Sequence, residues 1–209
     1  MEHTSRSLLD QARQGSDQAW TLLVEIYQPL IAGWLRRHSV PAQDAADVAQ
    51  EIMTIMIREI PNFEHSGRTG AFRNWLRSVT ANRVRQFWRD GRVRPKATGD
   101  SDFQMMLAEL EDPNSEMTQR WNEQHDVHVL QQITNSIASE FSEQSMQIFR
   151  RHVIQQVPAA TVAEQFQLSV AGVYQVKSRV LRRLRDEAEG LLVTDDVEGG
   201  GSGNRSTKW

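Results

Sequence analysis

An all-α fold, with two small helical domains joined by an acidic flexible linker, is predicted by three features of this 209-residue sequence. Apolar residues recur at helical spacing along most of the chain. No alternating apolar and polar run leads into a hairpin turn. A stretch rich in Gly, Pro and Asp, from Gly91 to Asp102, interrupts the periodicity and opens onto a dense run of acids.

The first helices are expected over residues 7–37, with Leu8, Leu9, Ala12, Ala19, Leu22, Leu23, Ile26, Leu30, Ile31, Trp34 and Leu35 as the apolar set and a break at Gly15 and Ser16. Pro41 opens a helix over residues 44–60, and Pro61, Gly67 and Gly70 bracket a polar loop before a further helix over residues 71–89. The first domain is therefore placed at residues 1–94. The linker follows at residues 95–126, where only Met105 to Leu110 keep some apolar periodicity. A second domain occupies residues 127–190, with Val129, Leu130, Ile133 and Ile137 continuing a pattern that resumes at Trp121. Its later helices are expected over residues 142–152, with Ser142 as N-cap, then 159–165 and 170–189. The tail, residues 191–209, contains GGGSG and is expected to be disordered.

Charge is segregated far more than the net value of −3 suggests. From Arg68 to Lys96, nine basic residues stand against the single acid Asp90, whereas from Asp100 to Asp126 eight acids stand against Arg120. Such blocks point to surfaces with different partners. No apolar run has the length of a membrane span and the start lacks a signal-peptide pattern, so no membrane insertion and a cytoplasmic location are expected. The absence of cysteine removes disulfides, thiolate metal sites and cysteine nucleophiles. With no glycine-rich phosphate loop or nucleophile elbow, the chain reads as a binding protein rather than an enzyme, with no cofactor and no metal. His125 and His128 are read as an exposed, solvated pair, since two histidines make an incomplete metal site.

The stretch TVAEQFQLSVAGVYQVKSRVLRRLRDE has helix-turn-helix spacing. Val162, Ala163 and Phe166 supply the buried face of its first helix, Leu168 plugs the turn, and Val173, Val176, Val180 and Leu184 form the apolar side of the second helix, with Ser169 as its cap. Ala171, Gly172, Tyr174 and Gln175 occupy the early turns of that second helix, where small and polar side chains reach base edges. Lys177, Arg179, Arg182, Arg183 and Arg185 follow, suited to phosphates.

In the first domain, the helix over residues 44–60 pairs an apolar stripe (Ala45, Val48, Ala49, Ile52, Ile55, Met56, Ile60) with a polar one carrying Asp44, Asp47, Glu51, Thr54 and Arg58. Its first turns form an acidic face fit for docking, although acids also favour the positive end of a helix dipole. The next helix, AFRNWLRSVTANRVRQFWRDGRVR, sets Phe72, Trp75, Leu76 and Val79 as its buried side. Its arginines interleave with Asn82, Phe87 and Trp88, the combination that holds separated DNA strands: cations neutralise phosphates and aromatic faces replace lost stacking.

The words DAADVAQE, FRNWLRSVTAN, TVAEQFQLS and VYQVKSRVLRRL, in this order, resemble bacterial RNA polymerase sigma factors of the extracytoplasmic-function group of the sigma-70 family. The resemblance implies a transcription initiation factor that directs core polymerase to promoters. Asp44, Asp47, Gln50 and Glu51 would bind core through the clamp coiled coil of the largest subunit, and the flap region is the second implied contact. Asn82, Arg83, Arg85, Gln86, Trp88 and Arg89 would serve the minus 10 element, and residues 64–69 would hold a flipped base. Ser169, Ala171, Gly172, Tyr174, Gln175, Lys177, Ser178, Arg179 and Arg182 would serve the minus 35 element. The acidic linker would run through the polymerase channel, and an anti-sigma factor or a protein kinase is a further implied partner. The chain departs from the family pattern at Gln86, where many relatives carry an acid, at Gln167, where many carry glycine, and at Gly172, where threonine is common. The alternative is a stand-alone helix-turn-helix regulator that binds duplex DNA.

Overall fold

A computed structural model describes residues 7–38, 40–63, 70–90 and 100–192, with the side chains of 100–104 excepted. All regular structure among the described residues is helical, as expected. Two compact units are present, one running through Gln132 and one covering Ile133–Glu187.

The first unit begins with α1 (Leu8–Arg13) and α2 (Asp17–Arg37), separated at the expected break. Ser7 Oγ accepts from the Asp10 amide and Ser16 Oγ from the Ala19 amide, both at 3.3 Å, so each helix starts on a serine cap. Gly15 makes the turn between them at φ +80°, in the left-handed region. The short connection after α2 lets α3 (Ala42–Glu59) pack against it through Ala45, Val48, Ala49, Ile52, Met53 and Met56, all buried. Alanine at 45 and 49 leaves room for close helix approach. A 3-10 turn (Ile60–Asn62) follows, and the carbonyl of Phe63 accepts from Arg13 of α1.

The helix α4 (Ala71–Arg89) buries Phe72, Leu76, Thr80, Ala81, Val84 and Phe87. This differs from the expected stripe. Trp75 and Val79 are only half-buried, and Phe87, expected to stack on bases, is 2% exposed. The reason is the helical period: Phe87 lies three residues beyond Val84, on the same face as Phe72 and Leu76. Buried Thr80 satisfies its hydroxyl by donating to the Leu76 carbonyl at 2.9 Å.

The acidic stretch expected to be a flexible linker is instead helical and part of the first unit. It forms α5 (Asp100–Glu111) and most of α6 (Glu116–Ser136). α5 lies against α4, with Leu107 and Leu110 buried. The turn between α5 and α6 is closed by side chains: Asp112 accepts from the Asn114 amide at 2.9 Å, Thr118 Oγ1 donates to the Leu110 carbonyl at 3.1 Å, and Ser115 Oγ caps α6 through the Thr118 amide at 3.0 Å. α6 is anchored by Trp121, which meets Trp34 edge-on at 5.1 Å between ring centroids.

The two histidines of α6 are not a solvated pair. His125 is 1% exposed and donates Nδ1–H to Asp126 at 2.9 Å, leaving Nε2 to accept from the Tyr27 hydroxyl at 3.3 Å. Arg73 of α4 completes the chain with an ion pair to Asp126. Burial lowers the His125 pKa, against the opposing pull of Asp126, so the ring sits neutral between its two partners. Burial alone would raise Asp126, but the hydrogen bonds from His125 and Arg73 prevail and hold it below the ordinary carboxylate range. His128 donates Nε2–H to the Ile26 carbonyl at 2.8 Å, tying α6 to α2. Among the described residues no cluster of metal-ligating side chains is present.

The second unit contains a 3-10 turn (Ile137–Glu140), α7 (Glu143–Phe149), a π turn (Arg150–Ile154), α8 (Ala159–Gln165) and most of α9 (Val170–Ala188). Ser142 caps α7, accepting from the Ser145 amide at 3.2 Å, as expected. The core gathers Ile137, Met146, Ile148, Phe149, Val162, Ala163, Val173, Val176, Val180 and Leu184. Leu168, expected to plug the turn, is 39% exposed, and Phe166 is half-buried. The tail from residue 193 onward, and with it the expected disorder, lies outside the described residues.

The turn between α8 and α9 has a measurable cost. Gln167 sits at φ +53°, the left-handed conformation that a β-carbon disfavours. Gln167→Gly should raise the unfolding free energy of the second unit by about 0.5–1 kcal/mol, the strain relieved exceeding the extra freedom glycine brings to the unfolded chain. Chemical denaturation followed by circular dichroism checks this, and a loss of stability would refute strain at this position.

Candidate functional site

Three helix faces carry the residues singled out by the sequence. On α3, Gln43, Asp47, Gln50, Thr54 and Arg58 are exposed along one line opposite the buried stripe. Asp44 and Glu51 are half-buried and stand seven positions apart, two helical turns along a flank of that face. The four expected docking residues therefore divide. Asp47 and Gln50 point to solvent, while Glu51 forms an ion pair with Arg83 of α4.

That pair joins two residues expected to serve different partners. The Arg83 side chain is only 11% exposed, so its charge is largely spent on Glu51 and on holding α3 to α4. The remaining set on α4 is more open. Asn82, Gln86 and Arg89 are exposed on one face, and Trp88 is half-buried beside Phe87, their rings 5.5 Å apart and nearly perpendicular. Arg85 lies at the edge of this face, donating to Asn82 Oδ1 at 2.7 Å and to Glu111 of α5. Residues 64–69, expected to hold a flipped base, lie outside the described residues.

The third face belongs to α9. Ala171, Tyr174, Gln175, Ser178, Arg179 and Arg182 are all exposed and share one side of the helix, each with another of the set three or four positions away, opposite buried Val173, Val176, Val180 and Leu184. Lys177 and Gly172 are half-buried at its margin. Ser169 caps α9, its Oγ accepting from the Gly172 amide at 3.0 Å, so its first duty is structural. A β-carbon at Gly172 would meet Ser169 Oγ at 3.4 Å, an ordinary contact, so the absence of a side chain there is not imposed by crowding.

Arg183 is removed from the set of cations available to phosphates. Its guanidinium grips Glu140 at 2.7 and 2.8 Å and Glu187 at 2.6 Å. The hydrogen bond with Glu140 leads the causes that push its pKa further up, so it is a fixed charge bracing α9 against the preceding 3-10 turn. Glu187, four residues further along the helix, was a local sign of this, whereas Glu140 lies 43 residues away and left none. The covering of Arg85 by Glu111 was likewise missed, although the acidic run beside a basic one was its signal.

Residues 23–94 match the family model described as Sigma-70 region 2, which covers α2 from Leu23 onward and all of α3 and α4. Over 84 residues the chain is 33% identical to the ECF RNA polymerase sigma-E factor of Haemophilus influenzae, spanning 40% of this chain and 42% of that protein. It is 33% identical over 81 residues to the RNA polymerase sigma-H factor of Pseudomonas aeruginosa, spanning 39% of this chain and 40% of that one. With the ECF RNA polymerase sigma-E factor of Escherichia coli K12 the identity is 29% over 99 residues, 47% of this chain and 50% of the relative. The chain thus covers half or less of the length of each of these relatives. A solved structure of CnrH in complex with the cytosolic domain of CnrY aligns with 85% of this chain and 92% of that one, at 20% identity and a TM-score of 0.35. Residues 23–94 are thus similar to region 2 of the sigma-70 family, and the relatives that match over this part of the chain include ECF RNA polymerase sigma factors.

Proposed function

We propose that this chain is a transcription initiation factor that binds core RNA polymerase and directs it to promoters carrying minus 10 and minus 35 elements. The observation that carries this reading is where the family match falls: residues 23–94 take in most of α2 and all of α3 and α4, and the last two offer exposed Asp47 and Gln50 on one side and Asn82, Gln86 and Arg89 on another. Acids on α3 suit a basic protein partner, the clamp coiled coil of the largest polymerase subunit. The polar and cationic face of α4 suits a melted strand, whose phosphates need charge and whose bases need a polar or aromatic neighbour.

The α9 face supports duplex recognition. Gln175 offers the amide that pairs bidentately with adenine, Tyr174 and Ala171 flank it, and Arg179 and Arg182 continue along the helix toward phosphates. The unit bearing α9 would bind the minus 35 element while contacting the polymerase flap, and strand opening would fall to α4. The factor acts in the cytoplasm, and an anti-sigma factor or a kinase controls its release. No helix among the described residues is long and apolar enough to cross a membrane.

Run-off transcription tests the reading. Core polymerase supplemented with this chain should initiate on a subset of genomic promoter fragments that core alone ignores, and the chain alone should hold duplex promoter weakly. Tight duplex binding without core, with no transcript when core is added, would identify a stand-alone helix-turn-helix regulator instead.

A further inference from the structure

The strand-holding face proposed for α4 is not open along its whole length. α5, the acidic helix that follows it, folds back and lies against it, seated by Leu107 and Leu110 at 2% and 0% exposure. At its end Glu111 pairs with Arg85, the cation that also touches Asn82. The next residue, Asp112, acts electrostatically on Arg77, one turn of α4 further back from Thr80 and Ala81. The arm is placed, not loose: the Asp112, Ser115 and Thr118 contacts fix its turn, and the Arg73 to Asp126 ion pair ties α6 to α4.

A carboxylate on Arg85 occupies the place a phosphate would take, because both are anions that accept from the same guanidinium fork. We propose that α5 is a built-in cover for the nucleic-acid face of α4, with Glu111 standing in for a strand phosphate on Arg85 until single-stranded DNA displaces it. The inference rests on the reading of α4 as a strand-holding helix. Its consequence is that the free chain binds single strands more weakly than its exposed cations would allow. The pair itself is partly exposed, at 29% for Arg85 and 50% for Glu111, so it is weak enough to yield to a polyanion.

The test measures binding of a fluorescent single-stranded oligonucleotide of about 12 nucleotides to the full chain at low ionic strength. Glu111→Gln should bind about threefold more tightly than the natural chain, the range expected from losing one partly exposed competing pair. Glu123→Gln removes the same charge from an exposed position of α6 and should change affinity little. Combining Arg85→Ala with Glu111→Gln should erase the gain. Arg89→Ala should weaken binding in every background, which reports on α4 independently of the cover. If Arg89→Ala weakens binding while Glu111→Gln has no effect, or no more effect than Glu123→Gln, the cover is overturned and the reading of α4 stands. If Arg89→Ala leaves binding unchanged, the strand-holding reading of α4 fails and the cover falls with it.

Discussion

Asp47→Lys should weaken binding to core polymerase by at least about tenfold and leave the chain folded, since reversing a charge within a complementary interface costs a lost attraction and a new repulsion. Asp47 is the right residue for this experiment because it is exposed on the open face of α3 and no stripe residue depends on it. An exposed substitution of this kind shifts stability by only about 0.5 kcal/mol either way. Glu51 is a poorer choice. A lysine there would face Arg83, which is nearly buried, and the resulting loss would mix docking with the packing of α3 on α4. Affinity is read by competition against a labelled factor for core, with the unfolding curve of the variant as control. Unchanged affinity for core in a normally folded Asp47→Lys chain would remove α3 from the docking surface.

Trp121→Ala should destabilise the first unit by about 3 kcal/mol, the usual cost of emptying a large aromatic site in a core. Trp121 is 2% exposed and meets Trp34 edge-on, a geometry that adds about 0.5–1.5 kcal/mol to simple burial. Its indole Nε1 has no partner among the described residues, which trims the loss slightly. The experiment decides whether α6 is integral to the first unit. Were residues 95–126 a flexible linker, the same substitution would move stability by only about 0.5 kcal/mol or less. Urea denaturation followed by circular dichroism separates the two outcomes cleanly, because the expected loss is several times that value.

The positions of the helices were readable in advance wherever a helix buries a continuous stripe. Ala45, Val48, Ala49, Ile52 and Met56 announce α3 by their spacing alone, and Ser142 and Ser169 mark helix starts with a hydroxyl in the right place. The helix-turn-helix was equally legible. Its two helices and turn are contiguous in sequence, and the exposed line from Ala171 to Arg182 follows from the buried line from Val173 to Leu184. In α4 the arginines obscure the helical period, so the local pattern points to Trp75 and Val79 where the core takes Val84 and Phe87.

The acidic segment shows where local pattern stops. Its apolar residues are sparse, and one of its anchors is a histidine, so composition argued for a solvated linker. His125 is buried only because Tyr27, 98 residues earlier, and Asp126 with Arg73 satisfy both ring nitrogens. The same holds for the ion pairs that reassign Arg83, Arg85 and Arg183. The chain's order of residues determined its helical class, the caps and the identity of each polar face, since these depend on neighbours within about two turns. Which charges remain available on those faces was decided by packing, because an ion pair forms between whichever side chains the crossing of two helices happens to bring within reach.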